Sequence, residues 1–150
     1  MKRYYSFKEK YDLDPRSLWY RGISQDEFEW WLRTHKFKPS EVPIWCDYEV
    51  LEYCDLLEED WVEEVCEESA GHVVNVTKDL DNARGYGNVI IGIDDSYVDE
   101  VCNTYGTCDV DVLTIDNYGE VWCFVELPED LKIKLKEETG LDVIDISEYY

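Results

Sequence analysis

The stretch NVTKDLDNARGYGNVIIGI, residues 75–93, sets two β-branched runs on either side of a short polar segment. The first run ends at Val76-Thr77. Asp79 then offers a short carboxylate to cap a helix, and Leu80 to Arg84 supply one, closed by Gly85. Gly-Tyr-Gly leads into NVIIGI, residues 88–93, whose apolar run reads as a buried strand. The order is strand, short helix, strand. Thr77 has two readings at this point: a helix N-cap, or one wall of a ligand cleft.

Upstream, SLWYRGI, residues 17–23, reads as a strand, and Ser24-Gln25-Asp26-Glu27 is a capping box of the S-x-x-E type. Phe28, Trp31, Leu32 and His35 then fall on one helix face, and the helix stops before Pro39. Asp47 is placed to cap a single long helix over residues 48–69, with Val50, Cys54, Leu57, Trp61 and Val65 on one side and Gly71 as its end. Residues 72–77 form the next strand. Downstream, residues 94–107 suggest a short helix and turn. Residues 108–116 alternate apolar and acidic, and Asp116-Asn117-Tyr118-Gly119 turns the chain so that residues 120–127 return as the hairpin partner. Pro128, Glu129 and Asp130 open a helix that ends near Gly140, and residues 141–146 read as a last strand. The pattern predicts one α+β domain over 1–150, with helices in the N-terminal half and a strand-rich C-terminal half.

Composition supports a folded domain. The chain has 150 residues, 45% hydrophobic and 15% aromatic, which excludes an acidic disordered tail. Thirty-six Asp and Glu against fourteen Lys and Arg leave a formal charge of −22. Such a field repels nucleic acid and anionic membranes and favours basic partners. The Cys residues (46, 54, 66, 102, 108 and 123) include no C-x-x-C pair, and no metal site is expected. Most sit among apolar neighbours and read as small core residues of a protein in a reducing cytoplasm. His35 and His72 read as partly buried structural residues. Neither a secretory signal nor a membrane span is expected.

Three pieces gather chemistry: Trp19-Tyr20-Arg21-Gly22 at a strand end, Thr77 with Asp79-Leu80 and Ala83-Arg84-Gly85-Tyr86-Gly87, and Glu120 before a late strand. Together, WYRGISQDEFEWWL and NVTKDLDNARGYGNVIIGI resemble the ADP-ribosyltransferase superfamily, in its Arg–Ser/Thr–Glu class, over roughly residues 17–126. The resemblance implies an ADP-ribosyltransferase-like fold and NAD as substrate, with ADP-ribose passed to a host macromolecule. It implies that Arg21 and Gly22 bind NAD, with the Arg21 fork on phosphate or ribose. Arg84 would lend positive charge together with Lys78, and Tyr86 would stack on nicotinamide. Thr77 would hydrogen-bond the nicotinamide ribose or position the catalytic Glu, and Glu120 would hydrogen-bond a ribose hydroxyl and stabilise the positive charge that develops as the nicotinamide bond breaks. Glu126 is the rival carboxylate. The pattern departs from the family's fullest form: no flanking Ser or Thr accompanies Thr77, and no Glu-x-Glu or Gln-x-Glu pair precedes the late strand.

A second reading rests on charge. From Pro39 to Thr77 there is no Lys or Arg, while Asp55, Glu59, Glu63 and Glu67, and Asp60, Glu64 and Glu68, repeat at helical spacing. Each i, i+4 pair of like charges opposes the helix by tenths of a kcal/mol. A row of carboxylates can stand in for phosphates, which describes an acidic nucleic-acid mimic that inhibits a defence nuclease or another basic protein. In style it resembles small acidic viral proteins that act in the host cytoplasm. The expected partner is a basic host protein, with no direct nucleic-acid binding and no membrane.

Overall fold

The computed structural model describes residues 17–41, 43–71, 73–100, 107–111 and 118–143. Strands β1 (Leu18–Ile23), β2 (Val73–Thr77), β3 (Val89–Asp94), β4 (Asp99–Glu100), β5 (Thr107–Asp111) and β6 (Trp122–Glu126) form one antiparallel sheet in the order β4-β5-β2-β1-β3-β6. The helices are α1 (Gln25–Thr34), α2 (Tyr48–Tyr53), α3 (Trp61–Ser69), α4 (Leu80–Arg84) and α5 (Glu129–Thr139). The chain is therefore mixed α and β, as the sequence pattern predicts. The expected N-terminal lead-in, His72, residues 112–116 of the strand expected over 108–116, residue 117 of the turn after it, and residues 144–146 of the last expected strand lie outside the described residues. Residues 141–143 are described and carry no strand.

Strand alternation sorts the sheet into two faces. Trp19 and Ile23 of β1, Val74 and Val76 of β2, Ile91 and Ile93 of β3, and Trp122 and Phe124 of β6 share the larger core with Phe28 and Trp31 of α1 and Leu131 and Leu135 of α5. Aromatic rings dominate it. Trp31 meets Trp122 edge-on at 5.5 Å and Phe124 at 5.0 Å, and Phe37 meets Trp122 at 5.0 Å. Such pairs add to the burial term. The opposite face buries Leu18, Tyr20, Ile90, Cys123 and Val125 under Ala83 of α4. Because β3 is covered on both sides, NVIIGI is a continuous apolar run rather than an alternating one.

Local signals place the helix ends. Ser24 accepts the Glu27 N–H at 3.2 Å at the start of α1. Its C-cap, His35, is exposed and left-handed at φ 59°, so it is a terminator and not a buried face residue. Gly140, at φ 76°, closes α5.

Three expectations are corrected. The late strand is not the hairpin partner of β5. It pairs with β3 at one edge of the sheet, while β5 pairs with β2 on the other side. The reason is its composition: Trp122 and Phe124 fill the aromatic core on one face, and Cys123 and Val125 bury on the other.

The expected helix over residues 48–69 is two helices. α2 ends at Cys54, Asp55 turns left-handed at φ 58°, and Leu56 N–H and Asp55 N–H bond the carbonyls of Leu51 and Glu52. This is a Schellman stop with Asp in the place usually held by Gly. Accumulated carboxylate repulsion favours the break.

Cys46 and Cys66 are not separate core thiols. They form a disulfide, with Cα atoms 5.1 Å apart, that ties the 3₁₀ turn Ile44–Cys46 to α3. Cys123 does follow the expectation, fully buried, with burial pushing its thiol pKa up. Among the described residues, no helix is long and apolar enough to cross a membrane.

Candidate functional site

The sheet is weakly joined at its centre. β1 pairs with β3 at six positions and β2 with β5 at five, but β1 and β2 share one pair, Tyr20 with Thr77. Beyond it the two strands part, and Arg21 bridges them by donating from Nη1 to the Asn75 carbonyl at 3.0 Å. A cleft of about 790 Å³ opens there, lined on the strands by Arg21, Gly22, Asn75 and Thr77, with Glu27 of α1 and Tyr86 among the other walls. That volume suits a small-molecule ligand. Asp47 and Val50 of the acidic segment complete another side.

Arg21, Gly22, Thr77 and Tyr86 thus all border this one cleft. Arg21 and Thr77 approach from opposite faces of the sheet, since Arg21 shares the face of Trp19 and Ile23, whereas Thr77 lies on the face opposite Val76. Burial lowers the pKa of the Arg21 guanidinium, partly offset by the nearby Glu27 carboxylate. Thr77 is buried, and its Oγ1 accepts the Asp79 N–H at 3.1 Å. Asp79 in turn caps α4 by accepting from Asp81 N–H at 3.0 Å and Asn82 N–H at 3.3 Å. Thr77 thus shapes the turn, and Asp79, not Thr77, is the helix cap. Tyr86 stands at the rim, 75% exposed.

The glycines have a packing reason of their own. A Cβ on Gly22 would lie 1.8 Å from the Ala83 carbonyl oxygen, and one on Gly87 would lie 2.0 Å from that of Ile23. The end of α4 and the Gly-Tyr-Gly segment press directly on the β1 backbone, which only glycine permits. Gly22 lines the cleft, but close packing by itself requires it.

Two predicted site residues are elsewhere. Arg84 does not line the cleft: it forks onto Glu126, with Nε–Oε2 at 3.0 Å, and bonds Asp81 at 2.7 Å. Those hydrogen bonds hold its pKa above the ordinary value. Its charge is thereby neutralised locally, and Glu126 is committed to the same pair. Glu120 is exposed in the turn before β6 and does not line the cleft either. β3 and β1 both stand between β6 and β2 in the sheet, because β6 is drawn to the far edge by its aromatic face. Lys78 does line the cleft, with Nζ 4.7 Å from the Trp19 ring centroid.

Sequence reasoning missed Glu27. It was legible as the last residue of the capping box, yet that box is half made: Ser24 accepts from Glu27 N–H, and the Glu27 carboxylate does not reach back. Instead, Glu27 lines the cleft, and its Oε2 is buried without a hydrogen-bond partner. The Arg21 Nε is in the same state. Burial raises the Glu27 pKa, and the charges of Arg21 and Lys38 partly oppose that rise. Buried polar atoms without partners are uncommon and costly. Two of them, of opposite charge, border one cleft. Among the described residues, no three His, Cys, Asp or Glu side chains gather as metal ligands would.

Comparison with family models, with curated proteins and with solved structures finds no match to this chain.

Proposed function

We propose that the cleft between β1 and β2 binds NAD as substrate and that the chain transfers ADP-ribose from it to a macromolecule. The observation that carries this reading is the meeting of Arg21, Thr77 and Tyr86 at the place where the two central strands part. Arg21 offers a guanidinium fork that suits phosphate or ribose oxygens. Thr77 offers a hydroxyl at the opposite wall, and Tyr86 an exposed ring at the rim able to cover a flat base. The resemblance of roughly residues 17–126 to the Arg–Ser/Thr–Glu transferases supports the same assignment. The overall charge of −22 opposes an anionic substrate, so Arg21 and Lys78 supply the local attraction, and screening by salt assists entry.

The test is incubation with NAD labelled in its adenylate half, together with cell lysate, following nicotinamide release and labelled protein. The wild type should release nicotinamide, and Arg21→Ala and Thr77→Ala should lose most of it. Absence of release by the wild type in moderate salt would overturn the reading.

One observation favours a second reading. The acids on α2, α3 and the connection between them have no ion-pair partner among the described residues, and Tyr48, Leu57 and Trp61 are exposed in the same segment. A basic protein would dock there through carboxylates and aromatic faces, as target or as inhibited partner. The stop at Asp55 breaks the row of charges, so a continuous phosphate-like track is not part of this reading. Pull-down at low and high salt tests it: binding indifferent to salt would count against it.

A further inference from the structure

The NAD reading leaves the cleft without the carboxylate that the sequence assigned to it, since Glu120 and Glu126 lie outside. Three acids do border the cleft: Glu27, Asp47 and Asp79. Asp47 and Asp79 are occupied as helix caps, each holding two backbone N–H groups on one oxygen. Glu27 is different. Its carboxylate has left the capping box, faces the same space as the Arg21 guanidinium, and keeps a buried oxygen with no donor. A ribose hydroxyl is the chemical complement of this pair, because it donates to a carboxylate oxygen while accepting from a guanidinium N–H.

We propose that Glu27 is the working carboxylate of the cleft, binding a ribose hydroxyl of the substrate together with Arg21. This rests on the NAD reading. In the step it serves, the bond between the ribosyl carbon and the nicotinamide nitrogen breaks. Its electron pair goes to the ring nitrogen, which neutralises the pyridinium. Positive charge is left on the ribosyl carbon and ring oxygen, and the Glu27 carboxylate stabilises it. An acceptor hydroxyl, or water, forms the new bond through its lone pair. Its proton passes to Glu27 and then to solvent, so that NAD and water give ADP-ribose, nicotinamide and a proton.

The experiment compares wild type, Glu27→Gln, Glu27→Asp and Glu120→Gln for NAD affinity and for nicotinamide release at saturating NAD. Melting curves verify that each variant is folded. Glu27→Gln should lower release roughly 100-fold or more, with NAD affinity changed by less than about fivefold, and Glu27→Asp should fall between. Glu120→Gln should match wild type. An NAD analogue lacking the hydroxyl next to the reacting carbon should be slow with wild type and no slower with Glu27→Gln. Release by Glu27→Gln at the wild-type rate, or an equal loss in Glu120→Gln, would overturn the assignment while leaving the NAD reading intact. A wild type that neither binds nor cleaves NAD would overturn the reading beneath it.

Discussion

The sheet half β1-β3-β6 and the acidic segment of residues 39–71 are held by different forces. In the first, Trp19, Trp31, Phe28, Phe37, Trp122 and Phe124 are each 1% exposed or less. Burial of this kind is non-directional and hardly sensitive to salt or redox state. In the second, only Pro43, Ile44, Val50, Leu51 and Val62 are buried among the described residues, and its acids carry no opposing Lys or Arg of the segment's own. There the Cys46–Cys66 bond supplies part of what packing does not. The cleft lies between the two, with Arg21 and Gly22 from the rigid half and Asp47 and Val50 from the conditional one. Solution conditions should therefore act on one wall of the cleft far more than on the other.

The sharpest way to break this contrast is a pair of glycine substitutions. Gly22→Ala drives a methyl into the Ala83 carbonyl and should cost roughly 3 kcal/mol or more, read as a shift of the denaturation midpoint. Gly71→Ala meets nothing within 4 Å and bears only the strain of φ 79°, about 1–2 kcal/mol. Equal effects would deny that β1 is the tightly packed element. Next in size, Cys46→Ser with Cys66→Ser should cost about 3 kcal/mol by loop-closure entropy over 20 residues. Reductant should bring the wild type to the same stability and leave the double variant unchanged. A wild type indifferent to reductant would remove the disulfide from the comparison. A persistent bond also belongs to an oxidising environment, in contrast to the reducing cytoplasm expected from the apolar neighbours of the cysteines.

Smaller effects sharpen the electrostatic side. Raising salt from about 0.01 to 0.15 M shortens the screening length from about 30 to about 8 Å and should raise the melting temperature, since repulsion within residues 39–71 relaxes. Glu27 supplies a pH test. Its folded pKa stands above the ordinary 4.5, so the folded protein binds this proton more tightly than the unfolded chain does. The wild type should lose stability relative to Glu27→Gln as pH rises from 4.5 through the raised value, and the difference should be constant beyond it. An opposite slope would mean that Glu27 is stabilised as the anion.

What the sequence revealed follows the range of the interactions. Ser24, Asp79 and Gly140 act on their own helices, and the apolar runs of β1, β2 and β3 carry their own period, so all were legible locally. Arg21 and Thr77 stood out in two separate motifs, and their place on one cleft follows from the single pairing of β1 with β2. The partner of β6 was not, because a turn signal at Tyr118-Gly119 fits a hairpin while the sheet position is decided by the distant Trp31 and Phe37. The helix break at Asp55 was hidden because Asp is an unusual left-handed stop. Glu120 failed as a cleft residue for the same non-local reason as β6. Glu27 was overlooked because a capping box explains its identity completely until the side chain is seen to turn away.

The most direct test of the cleft is to titrate NAD into isotopically labelled protein in about 0.15 M salt and follow the backbone amides. Shifts should concentrate at Arg21, Gly22, Glu27, Asn75, Thr77 and Tyr86, with little change at Glu120 or along α3. Shifts centred on Glu120, or none anywhere in the cleft at millimolar NAD, would contradict the assignment of the β1–β2 opening as the binding site.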